Sequence, residues 1–173
     1  LEHKLEAFDD KQLLTGPLQI TIPNFHKVSD NLYRGGQPRP HEFAQLRELG
    51  VRSVISFRYS SEVMRQERIL AAEANLNLFC IPLSYFILPT RREIAKFFSV
   101  VDDAKNQPIF LHCLHGSDRT GMMVAMYRIA RENWNVDDAY QEMKDCGFHK
   151  FSVYQYKFAV YGFAARLKRE QRK

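Results

Sequence analysis

The chain is 173 residues long, 45% hydrophobic and 26% charged, which is the make-up of a folded domain with one hydrophobic core rather than of a disordered or fibrous chain. No apolar run reaches the ~18 residues a membrane-spanning helix needs; the longest uncharged stretch, residues 74–90, is broken by Asn75, Asn77, Pro82, Ser84 and Pro89. Three cysteines cannot staple a chain of this size, and a formal charge of +5 first suggests a polyanionic partner such as nucleic acid, acidic lipid or a phosphorylated substrate. Four of those five charges sit in residues 166–173, where cations at a helix end are favoured by the dipole, so an anion-binding role must rest on a local site.

Residues 1–24 show little pattern and are expected as an N-terminal arm, followed by a main domain over residues 25–165 and a basic tail over 166–173. The chain opens on Leu1, which is compatible with a processed form whose signal peptide was removed; a cytoplasmic or an exported location both remain open. Residues 25–28 and 32–34 read as short strands around a turn at Asp30-Asn31. Phe43, Leu46 and Leu49 mark a helix that starts after Pro40 and stops at Gly50. A β-branched run at 51–57 precedes a helical stretch at 62–74, and an apolar strand follows at 76–83. Thr90 and Glu93 have capping-box spacing and open a helix with Ile94, Phe97, Phe98 and Val101 on one face.

Pro108 introduces a short apolar strand at 109–112, after which the pattern is helical, with segments near 120–132, 136–146 and from about 151 to the end. In the last, Phe151, Tyr154, Phe158, Tyr161 and Ala165 are expected to form a core-facing stripe. Strands alternating with helices predict an α/β fold with a central, mostly parallel sheet of four to five strands flanked by helices. Ligands in such sheets bind beyond the carboxyl ends of the strands, which directs attention to the loop after residues 109–112.

That loop reads His112-Cys113-Leu114-His115-Gly116-Ser117-Asp118-Arg119-Thr120-Gly121. Backbone N–H groups between a buried strand and a helix N-terminus make an anion cradle, Gly116 permits its curvature, and Arg119 can close on an oxyanion with a guanidinium fork. The same field favours a nucleophilic thiolate at Cys113. Cys80 and Cys146, by contrast, read as packing residues of a strand and a helix.

The loop resembles the signature of the cysteine-dependent protein tyrosine phosphatase superfamily, His-Cys-x-x-Gly-x-x-Arg-[Ser/Thr], at every fixed position. Size and element order look like its small dual-specificity branch. Asn31-Leu-Tyr-Arg-Gly-Gly-Gln-Pro38 and Glu48-Leu-Gly-Val-Arg-Ser-Val-Ile-Ser-Phe-Arg58 are similar to the front half of bacterial members, so the resemblance covers residues 25–163. It implies that Cys113 attacks phosphorus to form a phosphocysteine, while Arg119 and the loop at Leu114, His115, Gly116 and Ser117 hold the phosphate oxygens. It further implies that His112 orders the loop and that Thr120 donates its hydroxyl to the sulfur. No cofactor and no metal are expected, since the histidines share no ligand spacing with Cys or carboxylates.

One part departs from the family pattern. The general acid of the family is an Asp on a loop that here corresponds to residues 84–89, and that segment has no carboxylate. Glu93 is the capping-box residue, and Asp102 and Asp103 look solvated. Asp118 is then the candidate acid; the alternative is that it points away and pairs with a nearby cation.

A missing acid favours substrates with good leaving groups. The expected substrate is therefore an inositol polyphosphate (a phytase-like activity) or another polyphosphorylated small molecule. The alternatives are a protein tyrosine or dual-specificity phosphatase, an RNA 5′-polyphosphatase, and a non-enzymatic phosphate-binding module. Arg58 and Lys150 are expected to contact such a polyanion, with Arg91, Arg92 and His149 as further flanking cations. Nucleic acid is not expected as a partner, and the chain is expected to be a monomer.

Overall fold

The structure, a computed structural model, describes residues 19–149 and 151–172. Expectations for residues 1–18, Lys150 and Lys173 lie outside the described residues. The elements run β1 (His26–Ser29), β2 (Leu32–Gly35), α1 (Glu42–Glu48), β3 (Ser53–Ser56), α2 (Ser61–Glu73), β4 (Asn77–Cys80), α3 (Arg91–Val101), β5 (Ile109–His112), α4 (Asp118–Arg131), α5 (Val136–Asp145) and α6 (Gln155–Glu170). The sheet has five strands in the order β1-β2-β5-β3-β4; β1 is antiparallel to β2 and all other pairings are parallel. This is the α/β architecture expected from the alternation of strands and helices.

The period-2 alternation of β3 and β5 divides the core in two. Ile55, Ile109 and Leu111 face α3, α4 and α6 together with Phe97, Met122, Met126 and Val160. Val54 and Phe110 face the opposite side, against Phe43 and Leu46 of α1 and Ala71 of α2. With both faces covered, β5 is buried at all four residues, as an uninterrupted apolar run requires. α3 starts on the complete Thr90/Glu93 capping box, which leaves Glu93 occupied there. Asp102 is exposed, as expected, and forms a two-bond surface ion pair with Arg131 at 2.7 and 2.8 Å.

Residues 19–24 pack against the domain: Ile22 is buried beside Phe110, Thr21 donates to Glu42 at 2.6 Å, and Pro23 O accepts from Gly36 N–H at 2.7 Å. One expectation needs correction. The aromatic stripe of the last helix faces the other way. Phe151, Tyr154 and Phe158 are 89%, 62% and 62% exposed, Ala165 is exposed, and the first two precede α6. The residues of α6 that face the core are Tyr156, Val160, Phe163 and Ala164. Both sets have helical spacing, so periodicity supplies the period but not the phase. The phase is set by partners: Phe163 stacks on Phe98 of α3 at 5.9 Å, and Tyr156 stacks on Phe148 at 6.5 Å. Residues 166–170 of the basic tail are the last turns of α6.

Candidate active site

The carboxyl ends of β2, β3, β4 and β5 meet at one edge of the sheet, and the loop after β5 is wedged among the segments that follow the other three. Gly116 carries φ +72°, and a Cβ there would lie 2.3 Å from the Gly35 carbonyl carbon, so only glycine fits. Gln37 N–H donates to Leu114 O at 2.9 Å, and Arg34 Nη2 donates to Gly116 O at 2.7 Å. Arg34 is 1% exposed, its Nε and Nη1 have no partner among the described residues, and burial holds its pKa below the usual arginine range. From the far side, Asn24 Nδ2 donates to Cys146 O at 2.9 Å and to Ser117 Oγ at 3.4 Å.

Cys113 lies at the floor, 2% exposed. Arg119, in the first turn of α4, is 8% exposed. Its Nη1 donates to Phe57 O at 3.3 Å and to Leu83 O at 3.2 Å, the carbonyls beyond β3 and β4, while its Nε is buried without a partner among the described residues. The guanidinium is thus pinned on one side and left with an unused donor on the other. Tyr85 covers it, with the guanidinium carbon 5.9 Å from the ring centroid.

His112 points to the opposite face of the sheet from Cys113. It stacks on Phe110 at 5.7 Å, and its Nδ1 lies 3.0 Å from Cys113 O. Its Nε2 is 3.3 Å from Glu67 Oε1, too poorly aligned to count as a hydrogen bond. Burial, more than the opposing pull of Glu67, pushes its pKa down, so His112 is a neutral support beneath the loop. Glu67 also accepts from the Gln37 side-chain amide. Thr120 is fully buried and its hydroxyl has no partner among the described residues.

A cavity of about 410 Å³ opens above this floor, lined by Tyr85, Leu114, His115, Arg119, His149 and Ser152. Asp118 does not line it. Its carboxylate, 3% exposed, accepts from His149 N–H at 2.8 Å and lies 3.0 Å from His149 Nδ1. With the carboxylate ionised, Nδ1 carries the hydrogen. The Ser117 hydroxyl is likewise turned away, towards Asn24 and the Cα of Gly147, which leaves its backbone N–H for the cradle. Arg58 is half-buried and lines an adjacent cavity with Gln37, Val63 and Glu67; burial and then the charge of Arg119 lower its pKa. Arg91 lines a different cavity beyond residues 88–89, away from the cleft. Lys150 lies outside the described residues.

Four residues join the site that sequence reasoning gave no role there. Arg34 and Glu67 support the loop from beneath. Tyr85 forms a wall, and Tyr156 secures that wall by placing its hydroxyl 2.7 Å from Tyr85 O and 3.1 Å from Ser84 O. Arg34 carried a signal, a charged residue inside an otherwise apolar strand in the quoted Asn31–Pro38 stretch. Glu67 and Tyr156 carried none, since their roles depend on which face of a helix meets the sheet. Among the described residues no group of three or more His, Cys, Asp or Glu side chains could hold a metal ion, and no helix is long and apolar enough to cross a membrane.

Comparison with known proteins agrees with this architecture. The dual specificity protein phosphatase TpbA of Pseudomonas aeruginosa is 28% identical over 125 residues, 72% of this chain and 55% of TpbA. The chain thus spans little more than half the length of that relative. Inositol diphosphatase DSP5 of Arabidopsis thaliana is 28% identical over 158 residues, covering 88% of this chain and 76% of DSP5. The crystal structure of TpbA superposes with a TM-score of 0.66 at 26% identity over 84% of this chain and 91% of that one. The catalytic core of the PP-IP phosphatase SIW14 from S. cerevisiae, in complex with citrate, shares the fold with a TM-score of 0.70 at 24% identity, covering 83% of this chain and 87% of that one. The family described as "DSP-PTPase phosphatase fused to NAD+ Kinase" matches residues 17–160, from ahead of β1 into α6 and across the whole cleft, and the chain belongs to that family.

Proposed function

We propose that the chain is a cysteine-dependent phosphatase that hydrolyses phosphomonoesters through a phosphocysteine at Cys113. The observation that carries this reading is Arg119: a guanidinium pinned by two carbonyls, with a buried and unused Nε, in the same loop as a buried cysteine. A buried donor without a partner is costly, and a phosphate oxygen is its natural complement.

In the first step the Cys113 sulfur forms a bond to phosphorus as the ester P–O bond breaks, with Arg119 and the loop amides holding the three non-bridging oxygens. The leaving oxygen takes the Nε2 proton of His149 in its imidazolium form, whose ring lines the cavity and whose Nδ1–H is committed to Asp118, leaving the neutral ring. In the second step water attacks phosphorus, the S–P bond breaks, and the water's proton returns to His149. Asp118 thereby acts as the residue that orients the acid, in place of the direct acid role read from the sequence. The buried Thr120 hydroxyl, which has no partner among the described residues, is available to the departing sulfur.

For the substrate, an inositol polyphosphate is supported by the relatives that bear the name inositol diphosphatase. A phosphotyrosine-bearing protein is the second reading, favoured by a rim in which Tyr85 and Leu114 offer an aromatic or apolar body more contact than charge. The test is phosphate release from inositol hexakisphosphate, a phosphotyrosine peptide and 5′-triphosphate RNA, with Cys113→Ser alongside. Turnover of one of the first two, lost by on the order of a thousandfold or more in Cys113→Ser, is expected. Activity that survives in Cys113→Ser overturns the mechanism. No turnover of any of the three by the unaltered chain points to a phosphate-binding module instead, and turnover of the RNA alone to a 5′-polyphosphatase.

A further inference from the structure

A second cavity, of about 260 Å³, lies between the start of α3 and the outer face of α6, on the far side of residues 88–89 from the cleft. Its floor is apolar, built from Ile94, Met126 and Phe163, and its rim carries Arg91, Arg166 and Arg169. Among the described residues neither Arg91 nor Arg169 forms an ion pair; Arg166 has only Glu170, at 4.0 Å, and rests over the Phe163 ring at 5.6 Å. Three cations that converge on an apolar floor repel one another unless an anion joins them. The Thr90/Glu93 box takes up the Thr90 and Glu93 amides at the start of α3, and the positive charge at the cavity is that of the three guanidinium groups.

Gly162 lines this cavity and is exposed. This residue lies in the interior of α6, where glycine is about 1 kcal/mol less favourable than alanine. A Cβ built there would meet nothing within 4 Å, so no neighbouring backbone or side chain requires the absence of a side chain. Its neighbours on the same face, Phe158 and Arg166, line the cavity with it. A side chain at position 162 would therefore enter the open space that the cavity offers on this face of α6.

We infer that this cavity is a binding site for a small organic phosphate, a dianion carrying an apolar or ring-shaped body, separate from the cradle at Cys113. Guanidinium forks match phosphate oxygens in pairs, and the Ile94–Met126–Phe163 floor takes the organic part. The site uses none of the groups assigned to catalysis, so it stands or falls apart from the phosphatase reading.

Titration calorimetry of the full chain with phenylphosphonate tests it. Two sites per chain are expected. Arg119→Ala abolishes the cradle site and leaves the groove site. Arg166→Gln with Arg169→Gln weakens the groove site by at least about tenfold, the loss expected for charge-assisted contacts, and leaves turnover of para-nitrophenyl phosphate within about twofold. Gly162→Leu, which fills the hollow and favours the helix, abolishes the groove site with the circular dichroism spectrum unchanged. Vesicles of phosphatidylcholine containing phosphatidic acid form a second arm: groove-dependent vesicle binding assigns the phosphate to a lipid headgroup, and binding of phenylphosphonate alone assigns it to a soluble ligand. A single site that disappears with Arg119→Ala, or groove binding indifferent to both the arginine pair and Gly162→Leu, overturns the inference.

Discussion

Asp118 and Arg119 are adjacent in sequence but serve opposite sides of the loop. In the first turn of α4 successive side chains diverge by about 100°, so Arg119 turns to the carbonyls of Phe57 and Leu83 while Asp118 turns to His149. The signature made Cys113 and Arg119 legible because their chemistry depends on local spacing. The partner of Asp118 was not legible, since His149 is brought in by the turn after α5, 31 positions away. A proton delivered by His149 predicts a specific pair of variants. His149→Ala and Asp118→Asn should each lower kcat on an alkyl phosphate by about a hundredfold, within the range for a lost general acid, and have little effect on para-nitrophenyl phosphate, whose leaving group needs no proton. Steady-state rates across a leaving-group series check this. If Asp118→Asn alone shows the effect, the carboxyl itself is the donor.

At the scale of elements, α6 shows how much a helix's function depends on its phase. Its aromatic residues fall on two stripes, and the sequence supports either one as the buried face. Packing against α3 and α4 selects Tyr156, Val160 and Phe163, which puts the Tyr156 hydroxyl under the backbone of residues 84–85. Burial raises the pKa of that phenol well above its ordinary value, so it stays a donor at every physiological pH. Tyr156→Phe removes the only side-chain hydrogen bonds that these two carbonyls accept among the described residues. The expected result is a loss of about 1 kcal/mol in stability, the usual value of a partly buried hydrogen bond, with KM raised a few-fold as Tyr85 loses its anchor and kcat less affected. Thermal melts and steady-state kinetics on one substrate separate the two effects. A KM equal to that of the unaltered protein would show that residues 84–85 hold their place without the tyrosine.

For the whole molecule, the buried layer under the loop links folding to pH. His112 is 0% exposed, and burial lowers its pKa from 6.5. In the unfolded chain it protonates near its ordinary value, so below that pH the unfolded state binds a proton that the folded state refuses. Stability is therefore fully present above about pH 6.5 and falls as pH drops, by up to about 1.4 kcal/mol per unit from this residue. Chemical denaturation at pH 7.5 and 5.5 should show a smaller loss in His112→Asn than in the unaltered chain; equal losses would mean that His112 takes up its proton in the folded state.

The amino-acid sequence by itself determined the alternation of strands and helices, the parallel sheet, and the cysteine–arginine cradle, because each rests on spacing within a dozen residues. It also determined that residues 84–89 lack a carboxylate. Tertiary structure alone decided which residue partners Asp118, which face of α6 is buried, and which cation lines the cleft. Arg58 and Arg91 follow or open elements whose ends lie near the site, yet each lines a separate cavity. Those outcomes depend on contacts between residues far apart in the chain, where two arrangements share the same local pattern and only the fit of one surface against another distinguishes them.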